Sequence, residues 1–400
     1  MGRLVFTWVC LGILATAALL SVRDEEPRAA GPLPGPATRS ISLRVDSRLP
    51  AWLAPGAAVR VSGFAGGNAP VTLLVDGRRA GRATAGRLGA FQLVGRAPEP
   101  GSHVVAVASG GRRLLVGTLR VRPVVLAAVG DVTFGAGAMT RGPVFPWTGV
   151  GATLRDADIA TANLEGAIST RGVAVADKQY TFRGPPTAAQ AAARTGGIDV
   201  VTLANNHTVD FGREALLDTI GHLRAAGIST VGAGRGPEAA RRPAVLERGG
   251  LRVAFLGYSQ VPPESFFAAV GRPGTVPAHE TQIAVDVRAA RRHAELVVVW
   301  FHWGVELQPE PTFTQRRLAE AALNAGASVV LGAHPHVLGA VTEPLPGRLV
   351  AWTLGNFIFP SVRDETVQTA ILTVRLDARG VRGWDLEAAR IEGFRPVTRP

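Results

Sequence analysis

The chain has 400 residues, and its hydrophobic fraction of 46% is ample for a packed core and leaves room for two domains plus a targeting segment. The net charge of +12 comes almost entirely from arginine, since Lys178 is the only lysine. The arginines are scattered, without a long basic block or a zinc-finger or recognition-helix pattern, so we predict no nucleic-acid partner. This charge indicates either an arginine-rich genome or attraction to an anionic polymer or substrate.

The first predicted element is a membrane-length apolar segment at residues 4–22. Arg3 precedes it and an acidic cluster, residues 24–26, follows it, so the positive-inside rule places the remaining chain outside the cytoplasm. We therefore predict that residues 1–23 are a signal anchor in the cell membrane. The alternative is a signal peptide cleaved near residues 15–17, which would give a secreted protein. The single cysteine, Cys10, excludes an intrachain disulfide and lies in a poor lipobox context.

Residues 24–40 are rich in Pro and Ala and are predicted to be an extended linker. Short alternating runs then follow at residues 41–45, 58–62, 71–75, 90–94, 103–108 and 114–121, separated by turn pairs such as Asp76-Gly77. This spacing predicts a small all-β, immunoglobulin-like sandwich over residues 41–123. It lacks clustered titratable residues, so we interpret it as a spacer or adhesion module.

From residue 124 the pattern changes to continuous apolar runs with helical segments between them. Strands are predicted at residues 124–129, 200–203, 253–257, 296–301, 329–331 and 349–354. Helices are predicted at residues 212–226 and 315–325, the second with Thr314 as N-cap and Gly326 as its end. The order predicts an α/β domain over residues 124–393.

Polar residues capable of binding metal follow several of these strands, where open α/β sheets place their functional sites. They are Asp131, Glu165, Asn206, His207, His302, His334 and His336. Each motif alone has an ordinary explanation, such as a turn, a helix N-cap or one face of a strand. Together they predict a mixed nitrogen and oxygen site for one or two divalent metal ions such as Mn, Fe or Zn.

The same residues carry a family resemblance. The motifs are Gly130-Asp131, Asn163-Leu164-Glu165, Asn205-Asn206-His207, His302-Trp303-Gly304, His334-Pro335-His336 and Leu354-Gly355-Asn356. The stretch from residue 124 to about 391 resembles the bacterial CapA family of poly-γ-glutamate capsule synthesis, within the calcineurin-like metallophosphoesterase superfamily. The resemblance implies a metallophosphoesterase-like β-sandwich flanked by helices, here preceded by the small all-β sandwich.

The resemblance also implies residue roles. Asp131, Glu165, Asn206, His302, His334 and His336 would be metal ligands, and His207 would be the catalytic general acid. Lys178, Tyr180, Arg183 and Asn205 would contact the substrate. From their positions in the sequence rather than from the resemblance, we expect Glu306 and Gln315 to lie at the rim or behind the ligands and Trp303 to serve packing. Thr133 stands where the superfamily usually has a histidine, so we expect one metal position to bind more weakly than the other.

The implied reaction is metal-dependent hydrolysis or transfer at a phosphoester, a phosphoanhydride or an amide-like bond of an anionic polymer. The protein would act in synthesis, export or processing of a capsular or cell-envelope polymer, with other capsule-synthesis proteins as possible partners. One alternative is a non-catalytic, membrane-anchored component that binds or assembles the polymer. A second is an adhesion or scaffold protein dominated by the small sandwich.

Overall fold

A computed structural model of the chain describes residues 43–135, 137–261 and 263–398. The predicted membrane segment and linker lie outside these residues. Within them, no helix is both long enough and apolar enough to cross a membrane.

The first part of the described chain consists of strands. They are β1 (Arg44–Val45), β2 (Trp52–Leu53), β3 (Ala58–Phe64), β4 (Pro70–Val75), β5 (Arg78–Thr84), β6 (Ala90–Arg96), β7 (Gly101–Ser109) and β8 (Arg112–Val121). They form two sheets, β1-β3-β6 and β2-β8-β7-β4-β5. The six predicted strands are present, whereas β2 and β5 were missed. β5 is rich in arginine and lacks a buried alternating face, so its sequence carries no strand signal. The immunoglobulin-like topology stays a prediction.

Helices occur only after Val124 in the described chain. The elements are β9 (Val124–Val132), α1 (Gly151–Asp156), β10 (Ile159–Leu164), β11 (Ala167–Ile168), β12 (Arg183–Gly184), α2 (Thr187–Arg194), β13 (Val200–Thr202), α3 (Gly212–Ala225), β14 (Ser229–Val231), β15 (Ala233–Gly234), α4 (Pro237–Ala240), β16 (Ala244–Arg248), β17 (Leu251–Ser259) and β18 (Gly274–Thr275). They continue with α5 (Glu280–Arg291), β19 (Leu296–His302), α6 (Phe313–Ala325), β20 (Val329–Ala333), β21 (Val341–Leu345), β22 (Arg348–Ala351), β23 (Asn356–Ile358), α7 (Asp364–Val367), β24 (Gln368–Asp377), β25 (Gly380–Glu392) and β26 (Arg395–Thr398).

Two large sheets organise this part. The first has the order β14-β13-β10-β9-β24-β25-β26, with β23 also paired to β9, and the second has the order β16-β17-β19-β20-β22-β21. Strands β14, β13, β10 and β9 are parallel, as are β17, β19, β20 and β22. Parallel strands bring their carboxyl ends to one edge of a sheet, which is where the predicted site residues occur.

The alternation of side chains along the strands explains the layers. Leu126 of β9 and Val298 of β19 lie in a common core between the two sheets, where Trp300 Nε1 donates across to Thr161 Oγ1 at 2.9 Å. Neighbouring positions face outward: Ala127 packs with α2 and α3, and Val297 packs with α5 and α6. Burial on both faces accounts for the continuous apolar runs in the sequence. The predicted α/β fold class, two sheets covered by helices, is confirmed.

The predicted N-cap of α6 is wrong by two residues. Thr312, not Thr314, is the N-cap: its hydroxyl accepts from Gln315 N, and the Gln315 side chain accepts from Thr312 N. This reciprocal capping box requires a Gln three residues after the cap, a spacing that Thr312 satisfies and Thr314 does not. Gly326 ends the helix with φ +112°, as predicted.

The small sandwich is fixed to the α/β part by several contacts. Ala54 N donates to Gly249 O at 2.8 Å, and Arg122 forms a two-point ion pair with Asp158 at 2.7 Å for each bond. Its buried residues and those between the large sheets form one continuous apolar cluster. The domain boundary near residue 123 therefore stays a prediction.

Candidate metal centre

The predicted site residues lie together at the carboxyl ends of five strands. Asp131 is near the end of β9, Glu165 directly follows β10, and Asn206 follows β13. From the second sheet, His302 ends β19 and His334 directly follows β20. Asp131, Glu165 and His302 are almost completely buried.

Asp131 depends on a local irregularity in β9. Gly130 is skipped in the pairing of β9 with β10, because Val129 pairs with Ala162 and Asp131 with Asn163. A Cβ at Gly130 would collide with the backbone of Gly355, which approaches closely enough for Asp131 N to donate to Gly355 O at 2.9 Å. A glycine here therefore allows the loop to hold the aspartate in place.

Asn163 connects the two buried carboxylates. Its Nδ2 donates to Asp131 Oδ1 at 2.8 Å and to Glu165 Oε1 at 3.1 Å. Its Oδ1 accepts from Asn205 Nδ2 at 3.0 Å, so the amide oxygen faces away from the carboxylates. In this arrangement Asn163 organises the carboxylates rather than adding an oxygen donor to them.

His302 lies between Glu165 and Asn206. Its Nδ1 is 3.6 Å from Glu165 Oε1, and its Nε2 is 2.8 Å from Asn206 Oδ1. The ligand atoms of Asp131, Glu165 and His302 lie within 4.8 Å of one another. These separations are short enough for several of the groups to reach one cation, given metal–ligand distances of about 2 Å.

A strained turn presents the last two histidines. His334 has φ +97° and His336 has φ +60°, conformations that cost non-glycine residues about 1–3 kcal/mol each. The turn is held by His334 N donating to Asp131 Oδ2 at 3.2 Å and by Leu307 N donating to Pro335 O at 2.9 Å. It brings His336 Nδ1 to 3.1 Å from Asp131 Oδ2.

Two further residues border this turn. Asn356 Oδ1 lies 2.8 Å from His336 Nδ1, a contact that was not predicted from the motif Leu354-Gly355-Asn356. Glu306 is exposed, and its carboxylate lies within 4.8 Å of the ring nitrogens of His334 and His336. Glu306 thus has the predicted rim position, whereas Gln315 is used in the α6 cap. Trp303 is fully buried and stacks on Phe301 at 4.5 Å, a packing role.

His207 stands beside the cluster, with Nε2 3.9 Å from Glu165 Oε2. Its other nitrogen, Nδ1, lies 2.8 Å from Asp210 Oδ2 and 3.1 Å from Lys178 Nζ. Lys178 also donates to Asp210 Oδ1 and to Asn206 O. Asp210 was not predicted as a site residue, although its position three residues after His207 could have suggested a partner for the imidazole.

Of the four residues predicted to contact the substrate, two lie at the metal centre and two are exposed. Asn205 is buried, and its side chain stabilises its own loop, because its Oδ1 accepts hydrogen bonds from His207 N and Thr208 Oγ1. Lys178 points inward to Asp210, and Arg183 lies over the Phe211 ring at 4.2 Å. Tyr180 is exposed. The structure brings Lys178 and Asn205 to the site residues, while the substrate role of all four stays a prediction.

Burial shapes the protonation of the cluster. Burial, followed by the charge of Asp131, raises the pKa of Glu165 well above its usual value. Burial also lowers the pKa of His302 strongly and that of His334 to about 4, so both rings are neutral at neutral pH, the form that binds metal. Burial opposes protonation of His336 too, but the hydrogen bond to Asp131, the charges of Glu165 and Asp131 and the hydrogen bond to Asn356 together outweigh it and raise its pKa to about 9.

These residues fit a divalent cation. Glu165 Oε2 and His334 Nδ1 are buried and have no hydrogen-bond partner among the described residues. Buried polar atoms are normally satisfied, and a cation would satisfy both an anionic oxygen and a neutral imidazole nitrogen. A cation would also replace the proton that His336 shares with Asp131 and offset the charge of the buried carboxylates.

Thr133 is fully buried, and its hydroxyl accepts from Gly135 N at 3.2 Å. The side chain at this position therefore serves the loop after β9. The expected inequality of two metal positions stays a prediction.

The family model described as bacterial capsule synthesis protein PGA_cap matches residues 125–361. The PGA biosynthesis protein CapA of Bacillus subtilis is 32% identical over 199 residues, which are 50% of this chain and 52% of that protein. The capsule biosynthesis protein CapA of Bacillus anthracis is 30% identical over 254 residues, 61% of each chain. The chain thus spans only about half to three-fifths of the length of these relatives.

Among solved structures, a calcineurin-like phosphoesterase from Bacillus subtilis aligns over 67% of this chain and 90% of its own, with 13% identity and a TM-score of 0.41.

Proposed function

Because the chain belongs to the PGA_cap family of bacterial capsule synthesis proteins, we propose that it acts on a capsular or cell-envelope anionic polymer by metal-dependent hydrolysis. The single observation that supports this most is the convergence of Asp131, Glu165 and His302 in one buried cluster, with His207 beside it. Poly-γ-glutamate is the polymer class that the two relatives' family suggests. The bond cleaved would be a phosphoester, a phosphoanhydride or an amide-like bond.

One or two divalent ions would be held by Asp131, Glu165, Asn206, His302, His334 and His336. When bound, they would supply positive charge that stabilises anionic oxygens of the substrate and activates water. Neutral His302 and His334 contribute lone pairs, and the two carboxylates offset the cationic charge. Mn, Fe and Zn all suit such a donor set.

His207 is the proton carrier in this proposal, because its Nε2 is the nitrogen that faces Glu165. Its two partners at Nδ1 favour opposite tautomers. Asp210 can only accept, so it favours a proton on Nδ1, whereas the ammonium of Lys178 can only donate, so it favours a proton on Nε2. The ring can therefore hold or release a proton at Nε2, as a general acid toward the leaving oxygen requires.

The lining of the site also supports an anionic substrate. The site contains the ammonium of Lys178, whose pKa is lowered by burial although Asp210 opposes this effect, and it would gain the positive charge of the one or two divalent ions. Arg183 and Tyr180 lie at exposed positions on the same segment of chain, from which they could reach a polymer outside the site. Arginine suits two-point contacts with carboxylate or phosphate groups.

We place this activity outside the cytoplasm, with residues 4–22 as a membrane anchor, or as a secreted protein if the segment is cleaved. The apolar length and the flanking charges of the segment support this location. Protease added to intact cells should digest the downstream domains. Full protection of those domains would contradict the location.

The test of the activity is turnover of a generic phosphodiester and of poly-γ-glutamate by the full chain with added Mn²⁺. We expect turnover that chelation abolishes and that His207→Gln lowers by about 10²-fold or more without removing bound metal. A matched control is His293→Gln, an exposed histidine preceding β19. Metal and polymer binding without turnover of either substrate would instead support a non-catalytic polymer-binding or assembly component.

A further inference from the structure

A groove lined by arginine is formed by α3, by the edge strand β14 and by the segments before and after α4. One part, about 360 Å³, is bordered by Arg224 of α3, by Arg235 after β15 and by Arg242 before β16. A second part, about 370 Å³, adjoins it and shares Arg224 and Thr230. Among the residues that the structure describes, none that lines either part is acidic. The floor is formed by small and apolar residues, including Ala233 and Gly234.

The three arginines that line the groove differ from neighbouring arginines, which form ion pairs with carboxylates. In the same region Arg241 pairs with Asp286, Arg248 with Asp199 and Arg252 with Glu295. Within the described part of the chain, Arg224, Arg235 and Arg242 have no such ion pair. Glu238 borders a separate small cleft beside Arg242, together with the Arg241–Asp286 pair.

This arrangement has an electrostatic consequence. Three like charges facing one groove repel one another and raise the local positive potential. An anion in the groove would remove that repulsion, and guanidinium groups bind carboxylates and phosphates with two parallel hydrogen bonds. The groove therefore has the charge and the chemistry of an anion-binding surface.

The path of the groove connects it with the metal centre. It follows β14, the edge strand of the first sheet, from Ser229 and Thr230 to Gly234 beyond the end of the strand. β14 is parallel to β13, and Val231 is level with Thr202. Gly232 packs against Ala204, the residue before Asn205, so the Gly234 end of the groove lies toward the carboxyl edge of the sheet, the edge that carries the site.

We propose that this groove is a second binding site, which holds an extended segment of the anionic polymer while another segment lies at the metal centre. This inference rests on the proposed function for the identity of the polymer. The shared ligand chemistry is a chain of regularly spaced anionic groups. Carboxylates and phosphates are the two sources of such groups.

The test measures binding of poly-γ-glutamate and, separately, inorganic polyphosphate to the full chain at physiological salt. The variant carries Arg224→Glu, Arg235→Glu and Arg242→Glu. Its control carries Arg87→Glu, Arg112→Glu and Arg113→Glu, which are exposed residues of the small sandwich and give the same change in net charge. Thermal unfolding and bound metal are measured for each protein to verify that it is folded.

We expect the groove variant to lose at least about tenfold in affinity for one polymer and to show a shallower salt dependence, because three charge-assisted contacts are removed. The control should lose much less. The polymer that shows the larger loss identifies the anionic group. Equal losses in variant and control, or no binding of either polymer to the wild type, would overturn the proposal.

The two proposals fail separately. If metal-dependent turnover is present but polymer affinity does not depend on the three arginines, the groove proposal is wrong and the proposed activity stands. If the arginines control polymer binding but no turnover occurs, the groove proposal stands and the proposed activity is wrong.

Discussion

Oδ2 of Asp210 lies 2.8 Å from Nδ1 of His207, and the carboxylate is completely buried. The same oxygen accepts from Phe182 N at 2.8 Å, and the other oxygen accepts from Lys178. The Phe182 N–H group and the Lys178 ammonium therefore hold the Asp210 carboxylate in place independently of its contact with the imidazole. The orientation of His207 toward Glu165 depends on this carboxylate.

Replacing Asp210 by Asn should lower kcat by about 10²-fold, because the amide cannot stabilise a protonated His207. Bound metal should be unchanged, since Asp210 is not among the predicted ligands. Steady-state kinetics with a phosphodiester and metal analysis of the same samples measure both quantities. Asp385→Asn, which alters an exposed pair with Arg375, is the control and should have full activity. Full activity of the Asp210 variant would show that His207 needs no partner.

Replacing Lys178 by Met should affect kcat and stability more than KM. The ammonium contacts Asp210, His207 and the Asn206 carbonyl, so its loss leaves a buried carboxylate without its cation. We expect the free energy of unfolding to fall by about 1–3 kcal/mol. Arg375→Met removes a cation from an exposed pair and should cost at most about 1 kcal/mol. A large rise in KM with kcat unchanged would instead identify Lys178 as a substrate contact.

Thr133→His should increase metal occupancy. The hydroxyl is a weaker ligand than an imidazole, so wild-type protein is expected to bind two equivalents with distinguishable affinities. Calorimetric titration with Mn²⁺ measures this, and the position formed by Asn206, His302 and His334 should fill first. Two indistinguishable affinities in the wild type would contradict the argument from Thr133.

Much of this site could be predicted from the sequence, because most of its residues stand at the same kind of position, the end of a predicted strand. Asp131, Glu165, Asn206, His302 and His334 each follow or end an apolar run, and parallel strands deliver such residues to one edge. Asp210 and Asn356 were not recognised, since their importance depends on which loop lies beside which imidazole. The ion pair between Lys178 and Asp210 was not predicted for the same reason, because the two residues belong to separate segments that only the fold brings together.

The strands, too, could be predicted from the sequence only in part. Runs that are buried on both faces, such as β9 and β19, are visible as continuous apolar sequence. β5 is not visible, because an arginine-rich edge strand has no apolar pattern. Thr314 was predicted as the N-cap of α6, whereas the three-residue spacing of a capping box and the side-chain contacts of Gln315 identify Thr312.

Gly249→Ala should weaken the attachment of the small sandwich. A Cβ at this position would overlap the Trp52 ring, whereas Gly77 has a similar positive φ but open space around it. Both substitutions strain the backbone, so the difference between them isolates the clash. We expect Gly249→Ala to cost about 1–3 kcal/mol more than Gly77→Ala in chemical denaturation. Equal costs would mean that the added methyl group does not disturb the contact with Trp52.

The most direct test of the metal centre is an anomalous-difference map from crystals of the chain containing Mn²⁺. We predict a peak within about 2–2.5 Å of donor atoms from Asp131, Glu165 and the histidines of the cluster. Glu165→Gln crystals prepared in the same way should show a weaker peak or none. A wild-type map without a peak at these side chains, or with its only peaks at surface carboxylates, would contradict the metal centre on which the proposed function depends.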